Sequence, residues 1–73
     1  MTEKEQEFIA QLADVLEVAA LAPGDDYRKT HLWGSLTAFA LKVTLQQKYG
    51  VSLTLKELDG FASVADLMGR VLA

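Results

Sequence analysis

SLTAFALKVTLQQKYG, residues 35–50, reads as a helix that is apolar on two sides. At 3.6 residues per turn, Ala38, Leu41, Leu45 and Tyr49 fall on one side. Leu36, Ala40 and Val43 fall roughly opposite, Gln47 continues their line, and Phe39 lies on the flank between the two. A helix with one buried stripe needs only the first set. The second set requires either burial on both sides or an exposed patch that meets a partner. Gly50 suits the position just past the helix, and Lys48 in the last turn complements the negative end of the dipole. At the other end, Ser35 has the residue type of an N-cap.

Upstream lies LAPGDDYRKTHLWG, residues 21–34, with the only proline, two glycines and two adjacent aspartates. It reads as a loop of roughly a dozen residues, longer than the 2–8 usual between packed helices. Tyr27, Leu32 and Trp33 are apolar enough to pin parts of it to a core. Before it, Thr2 and Glu5 have the spacing of a capping box, and Phe8, Ile9, Leu12, Val15, Leu16 and Ala19 recur at helical spacing. This predicts a helix over about 3–19, with Glu7, Gln11, Asp14 and Glu17 on its polar face. Downstream, VSLTLKELDGF begins extended and holds a short helix over about 55–59. Thr54 and Glu57 form its capping pair, and Gly60 ends it. A last helix starts near Ser63, with Asp66 three residues on, and buries Val64, Leu67, Met68 and Val71, with Leu72. The class is all-α: a small four-helix bundle of three main helices and one short one, in a single domain over residues 1–73.

Composition narrows the function. The chain has 73 residues, 51% of them hydrophobic and 23% charged, which is globular composition. With no cysteine there is no disulfide and no thiolate metal site, so folding rests on apolar packing. No apolar run approaches the ~20 residues that span a bilayer, and the acidic, polar MTEKEQEF start is unlike a secretion signal. The expectation is a cytoplasmic monomer with no membrane insertion. A net charge of −3 argues against a nucleic-acid partner. Seven of the ten acids lie in the first 26 residues, and none falls between Tyr27 and Lys56.

Catalytic and metal chemistry find little support. His31 is four residues before Ser35 but lies in the loop, and no acid in the surrounding span could orient it as a general base. Asp25 and Asp26 beside Pro23-Gly24 are a turn signature, and one histidine without cysteine leaves too few metal ligands. The chain is expected not to be an enzyme.

The ordered set of a long helix, a long loop, Ser35-Leu36 opening a second helix, a short third helix and a Ser63-Val64 start to the last helix resembles acyl carrier proteins and the carrier domains of polyketide and peptide synthases. The likeness covers nearly the whole chain. Tyr49 stands at the family's aromatic position at the end of the second helix, and Leu53 and Val64 at its aliphatic ones. The resemblance implies an antiparallel bundle with a 4′-phosphopantetheine arm, donated by coenzyme A, on Ser35. A phosphopantetheinyl transferase would attach it. The arm would carry an acyl or polyketide-type thioester to acyl-transferring or synthase enzymes of fatty-acid, polyketide or other specialised pathways. It also implies that Leu36, Ala40, Val43 and Gln47 dock partners, with Val43 at the centre. The entry to the second helix and the helix itself both differ from the family. Gly34 replaces the aspartate of its Asp-Ser-Leu motif, and Leu32 stands where a glycine is common. Thr37, Ala40, Gln46 and Gln47 occupy second-helix positions where the family places acids. The alternative is an unmodified carrier-like module that only binds other proteins.

Overall fold

The computed structural model describes residues 1–73, and every regular element in it is helical. Four α-helices follow one another: α1 (Glu3–Leu16), α2 (Ser35–Tyr49), α3 (Leu55–Leu58) and α4 (Val64–Leu72). α2 is the central element and packs against the other three, while α1 also packs on α4.

The polar ends of the helices follow the local sequence. Thr2 and Glu5 form a reciprocal capping box on α1, and Thr54 and Glu57 do the same on α3. These bonds hold both glutamates below the usual carboxylate range, the backbone N–H of the cap contributing most. The Ser63 hydroxyl accepts the Asp66 N–H at the start of α4.

α1 stops three residues short of the predicted end. Glu17 turns into the left-handed region (φ 55°, ψ 44°), and the N–H of Val18 reaches back to the Ala13 carbonyl. This is a Schellman closure built on a non-glycine residue, a conformation that costs about 1 kcal/mol or more. Turning there lets Val18 and Leu21 pack against the core, whereas Ala19 is exposed. Ala13, absent from the predicted stripe, is buried. At the end of α2, Gly50 takes the left-handed turn at φ 68° and donates its N–H to Gln46.

The core is drawn from every helix and from the connections: Phe8, Ile9, Leu12 and Leu16 from α1, Leu41 and Leu45 from α2, Leu58 from α3, Val64, Leu67, Met68 and Val71 from α4, with Tyr27 and Leu53 between helices. Tyr49 is half-buried and tilts against Phe8 at 5.6 Å.

The long connection, residues 17–34, is built onto the bundle. Tyr27–Lys29 forms a 3-10 turn that the sequence pattern did not reveal, capped by Asp26, whose carboxylate accepts the Arg28 N–H. Tyr27 is fully buried, stacks edge-on against Trp33 at 5.2 Å, and donates its hydroxyl to the Leu58 carbonyl. Arg28 makes a bidentate pair with Asp26 and a 2.7 Å bond to the Asp59 carbonyl. That pairing lowers the Asp26 carboxyl below its ordinary range. The carbonyls of Pro23 and Asp25 take the first amides of α4, those of Ala65 and Val64. The Leu32 side chain, by contrast, is exposed and is not among those packed against the core.

Burial pushes the Tyr27 hydroxyl up from 10.0 to about 12. The folded state therefore keeps this proton where the unfolded chain loses it. The resulting stability is whole below pH 10 and is lost as pH rises from 10 to about 12. Urea midpoints measured across that range should fall steeply in the wild type and less steeply in Tyr27→Phe.

Candidate functional site

Ser35 is the first helical residue of α2, and the N-cap position belongs to Gly34, which has no side chain to offer. The capping role open to Ser35 from its residue type is therefore not the one it takes. Gly34 is fully extended (φ 174°, ψ −175°), and the first intrahelical bond runs from Ala38 N–H to its carbonyl. The amides of Ser35, Leu36 and Thr37 are left open at the positive end of the helix. The starts of α1, α3 and α4 are closed by side chains.

The hydroxyls sort themselves in the same way. Of the eight serines and threonines, Thr2, Thr54 and Ser63 cap helices. Thr30 donates to Tyr27, Thr37 to Leu32 and Thr44 to Ala40. Only Ser35 and Ser52 make no hydrogen bond, and Ser52 lies in the extended link before α3. Ser35 thus combines an uncommitted, exposed hydroxyl with open helix amides. A phosphodiester on its Oγ would meet those amides and the helix dipole, a favourable setting for an anion.

Beside Ser35 runs an open groove lined by Trp33, Gly34, Ala38, Leu55, Lys56 and Asp59. Its wall is held by the loop. Trp33 Nε1 donates to the Asp59 carboxylate at 3.3 Å, Arg28 holds the Asp59 carbonyl, and Tyr27 holds Leu58. Thr37, one turn into α2, ties the helix back to Leu32 through a 2.7 Å bond. The part played by Leu55, Lys56 and Asp59 in this groove is absent from the sequence pattern, because only tertiary packing brings α3 beside the start of α2.

The two faces of α2 separate as their periodicity predicts. Ala38, Leu41 and Leu45 are buried. On the outward side Leu36 is 87% exposed and Phe39 55%, with Ala40 and Gln47 also exposed. Val43 is half-buried and is not among the partly buried side chains packed against the core. Leu36, Ala40, Val43 and Gln47 therefore share one side of α2, with Ser35 at the start of the helix.

His31 is exposed and makes no hydrogen bond to Ser35. Asp25 and Asp26 serve the loop: Asp25 accepts the Ala22 N–H, and Asp26 is paired with Arg28. No group of three or more histidine, aspartate or glutamate side chains is arranged to hold a metal ion. No helix is long and apolar enough to cross a membrane.

Comparison with curated proteins and comparison with solved structures each give no match. The family model described as the phosphopantetheine attachment site matches residues 6–71, nearly the whole chain and the whole of the surface just described. This chain belongs to that family, whose cofactor is 4′-phosphopantetheine held covalently.

Proposed function

We propose that Ser35 is the attachment point and that the protein is an acyl carrier. It holds an acyl or polyketide-type thioester on the arm and presents it to the enzymes of a specialised lipid or secondary-metabolite pathway. The observation that carries this reading is the pairing at Ser35 of a hydroxyl without a partner and a helix start without a cap. The thioester chemistry belongs to the cofactor. The chain contributes position: a fixed loop on one side of Ser35, α3 on the other, and a docking face on α2 made by Leu36, Ala40, Val43 and Gln47. It has no catalytic role of its own, and its partners are a phosphopantetheinyl transferase and acyl-transferring or synthase enzymes. Incubation with coenzyme A and a broad-specificity transferase should add the mass of one phosphopantetheinyl group. No gain with several transferases, while an ordinary carrier is loaded alongside, sinks the reading in favour of an unmodified interaction module.

Gly34 bears on the same step. A Cβ added there meets nothing within 4 Å, and the extended backbone is open to any residue. Gly34→Asp should supply the missing cap, gaining a few tenths of a kcal/mol in stability. It also restores the family's aspartate beside the serine, so loading should speed up several-fold. Paired mass-spectrometric time courses check this, and an unchanged rate would show that the transferase does not read position 34.

The docking face has its own test. Because Val43 does not pack on the core, Val43→Asp should weaken capture by partner enzymes while leaving helical circular dichroism and the melting temperature near wild type. Loss of helical signal in this variant would return Val43 to the core.

A further inference from the structure

A second groove runs along the flank of α1 and shares no residue with the one beside Ser35. It is lined by Met1, Ile9, Ala10 and Ala13, together with Ala20 and Leu21 from the connection after α1, and Gln6 is its one polar residue. Ile9 and Ala13 each keep 8% exposure at its base, whereas Met1, Ala10 and Ala20 stand in solvent. Alanine at positions 10, 13 and 20 lets another backbone approach closely.

One edge of this groove is acidic. Glu3, Glu7, Ala10, Asp14 and Glu17 recur at spacings of four, three, four and three residues. Ala10 therefore sits within a line of carboxylates that runs about 20 Å along α1 and its C-terminal cap. All four acids are exposed and none is ion-paired, the one ion pair in the molecule being Arg28 with Asp26. The cations are engaged elsewhere. Lys4, the only one on α1, lines a different groove with Ala65 and Met68 of α4. The Met1 ammonium acts on Glu5, Arg28 and Lys29 act on Asp26, and Lys42 donates to the Leu53 carbonyl.

We propose that this groove docks an amphipathic helix of a partner protein. That helix seats a leucine-sized side chain over Ile9 and Ala13 and sets lysines or arginines against Glu3, Glu7 and Asp14. Charge and spacing select the occupant. Carboxylates four and seven residues apart meet cations placed at the same intervals on a helix lying alongside. An apolar seat gives such a helix its affinity, and the rim charge gives it its orientation. Two copies of this chain paired through α1 would instead bring the same acids face to face. The contact uses no residue of the groove beside Ser35, so it would hold the protein to a partner while Ser35 and α2 stay open. It does not depend on Ser35 being loaded.

The probe is a synthetic helical peptide of about 18 residues, five turns, with a leucine and alanine face flanked by lysines. A matched peptide carries glutamates in place of the lysines. Each is titrated into the full, isotope-labelled chain, and amide shifts are followed at about 50 and 300 mM NaCl. The lysine peptide should move the amides of Gln6, Ile9, Ala10, Ala13 and Ala20, and should bind several-fold more weakly at the higher salt. The glutamate peptide should bind at least about tenfold more weakly. Glu7→Gln/Asp14→Gln should lose about tenfold in affinity for the lysine peptide, with the melting temperature close to wild type. Ala10→Lys, at an exposed position where a helix accepts lysine at little cost, should abolish binding with helical circular dichroism intact. No shift at these residues with the lysine peptide overturns the proposal. Equal binding of the two peptides overturns the charge assignment, and shifts gathered at Leu36, Phe39 and Val43 place the peptide on α2 and overturn the site. Sedimentation of the unliganded chain covers self-association: a dimer that Ala10→Lys dissolves assigns the groove to a second copy and overturns the partner.

Discussion

Ser35→Ala should abolish the mass gain from coenzyme A and a transferase completely, while the fold is left as it is. The Oγ is the atom that would attack the pyrophosphate linkage of coenzyme A, and alanine has no substitute for it. Ser35 is exposed, makes no side-chain hydrogen bond and does not cap α2, so its removal leaves no buried group unpaired. The stability change should stay within about 0.5 kcal/mol, as for surface substitutions remote from special features. Ser52→Ala is the matched control, since Ser52 is the other hydroxyl without a partner, and it should load normally. A gain that survives Ser35→Ala and disappears in Ser52→Ala would move the attachment point out of the helix start.

Tyr27→Ala should cost about 3–5 kcal/mol, the range for deleting a buried aromatic ring. That rivals the total stability expected for so small a domain, roughly 0.05–0.15 kcal/mol per residue. Tyr27 is fully buried, so nothing fills its space from solvent. Its loss also strips the Leu58 carbonyl of a donor and Trp33 of its edge-on neighbour. Tyr27→Phe keeps the ring and removes only the hydroxyl, so it should cost about 1–3 kcal/mol, the penalty of an unpaired buried carbonyl. Denaturant unfolding measures both. A Tyr27→Ala protein as stable as wild type would mean that the loop contributes nothing to the fold. The effect should reach function through Trp33 and Arg28, which grip Asp59 from the same loop. In Tyr27→Phe, slower loading out of proportion to the lost stability would show that this grip also positions the groove beside Ser35.

Helix existence was legible because its causes are local. The spacing Thr2 to Glu5 and Thr54 to Glu57 allows two reciprocal bonds within one turn, and both capping boxes form. Gly50 ends α2 because only glycine takes φ 68° without cost. The two faces of α2 likewise follow from a period of 3.6 residues. The end of α1 was not legible. Apolar spacing continues to Ala19, and nothing about Glu17 announces a left-handed turn. What selects that turn is the burial of Val18 and Leu21 against residues distant in sequence.

The site divides along the same line. That a serine-leucine pair opens an amphipathic helix after a long loop could be read from order and spacing, and so could Leu36, Ala40, Val43 and Gln47 as a second line on α2. The capping state of Ser35 could not. A serine at a helix start is ordinarily the cap, and here the chain enters one residue earlier, through an extended Gly34. The groove beside it was equally hidden, since Leu55, Lys56 and Asp59 reach it only when α3 docks on α2. By itself, then, the sequence determined four helices, the capping boxes of α1 and α3 and the two-sided character of α2, because backbone geometry and solvation act over a few residues. The tertiary structure alone decided which of the two apolar faces stays in solvent, where α1 breaks and what stands beside Ser35. Those depend on contacts between distant segments, above all the Tyr27 loop against α3, and burial is shared among all of them at once.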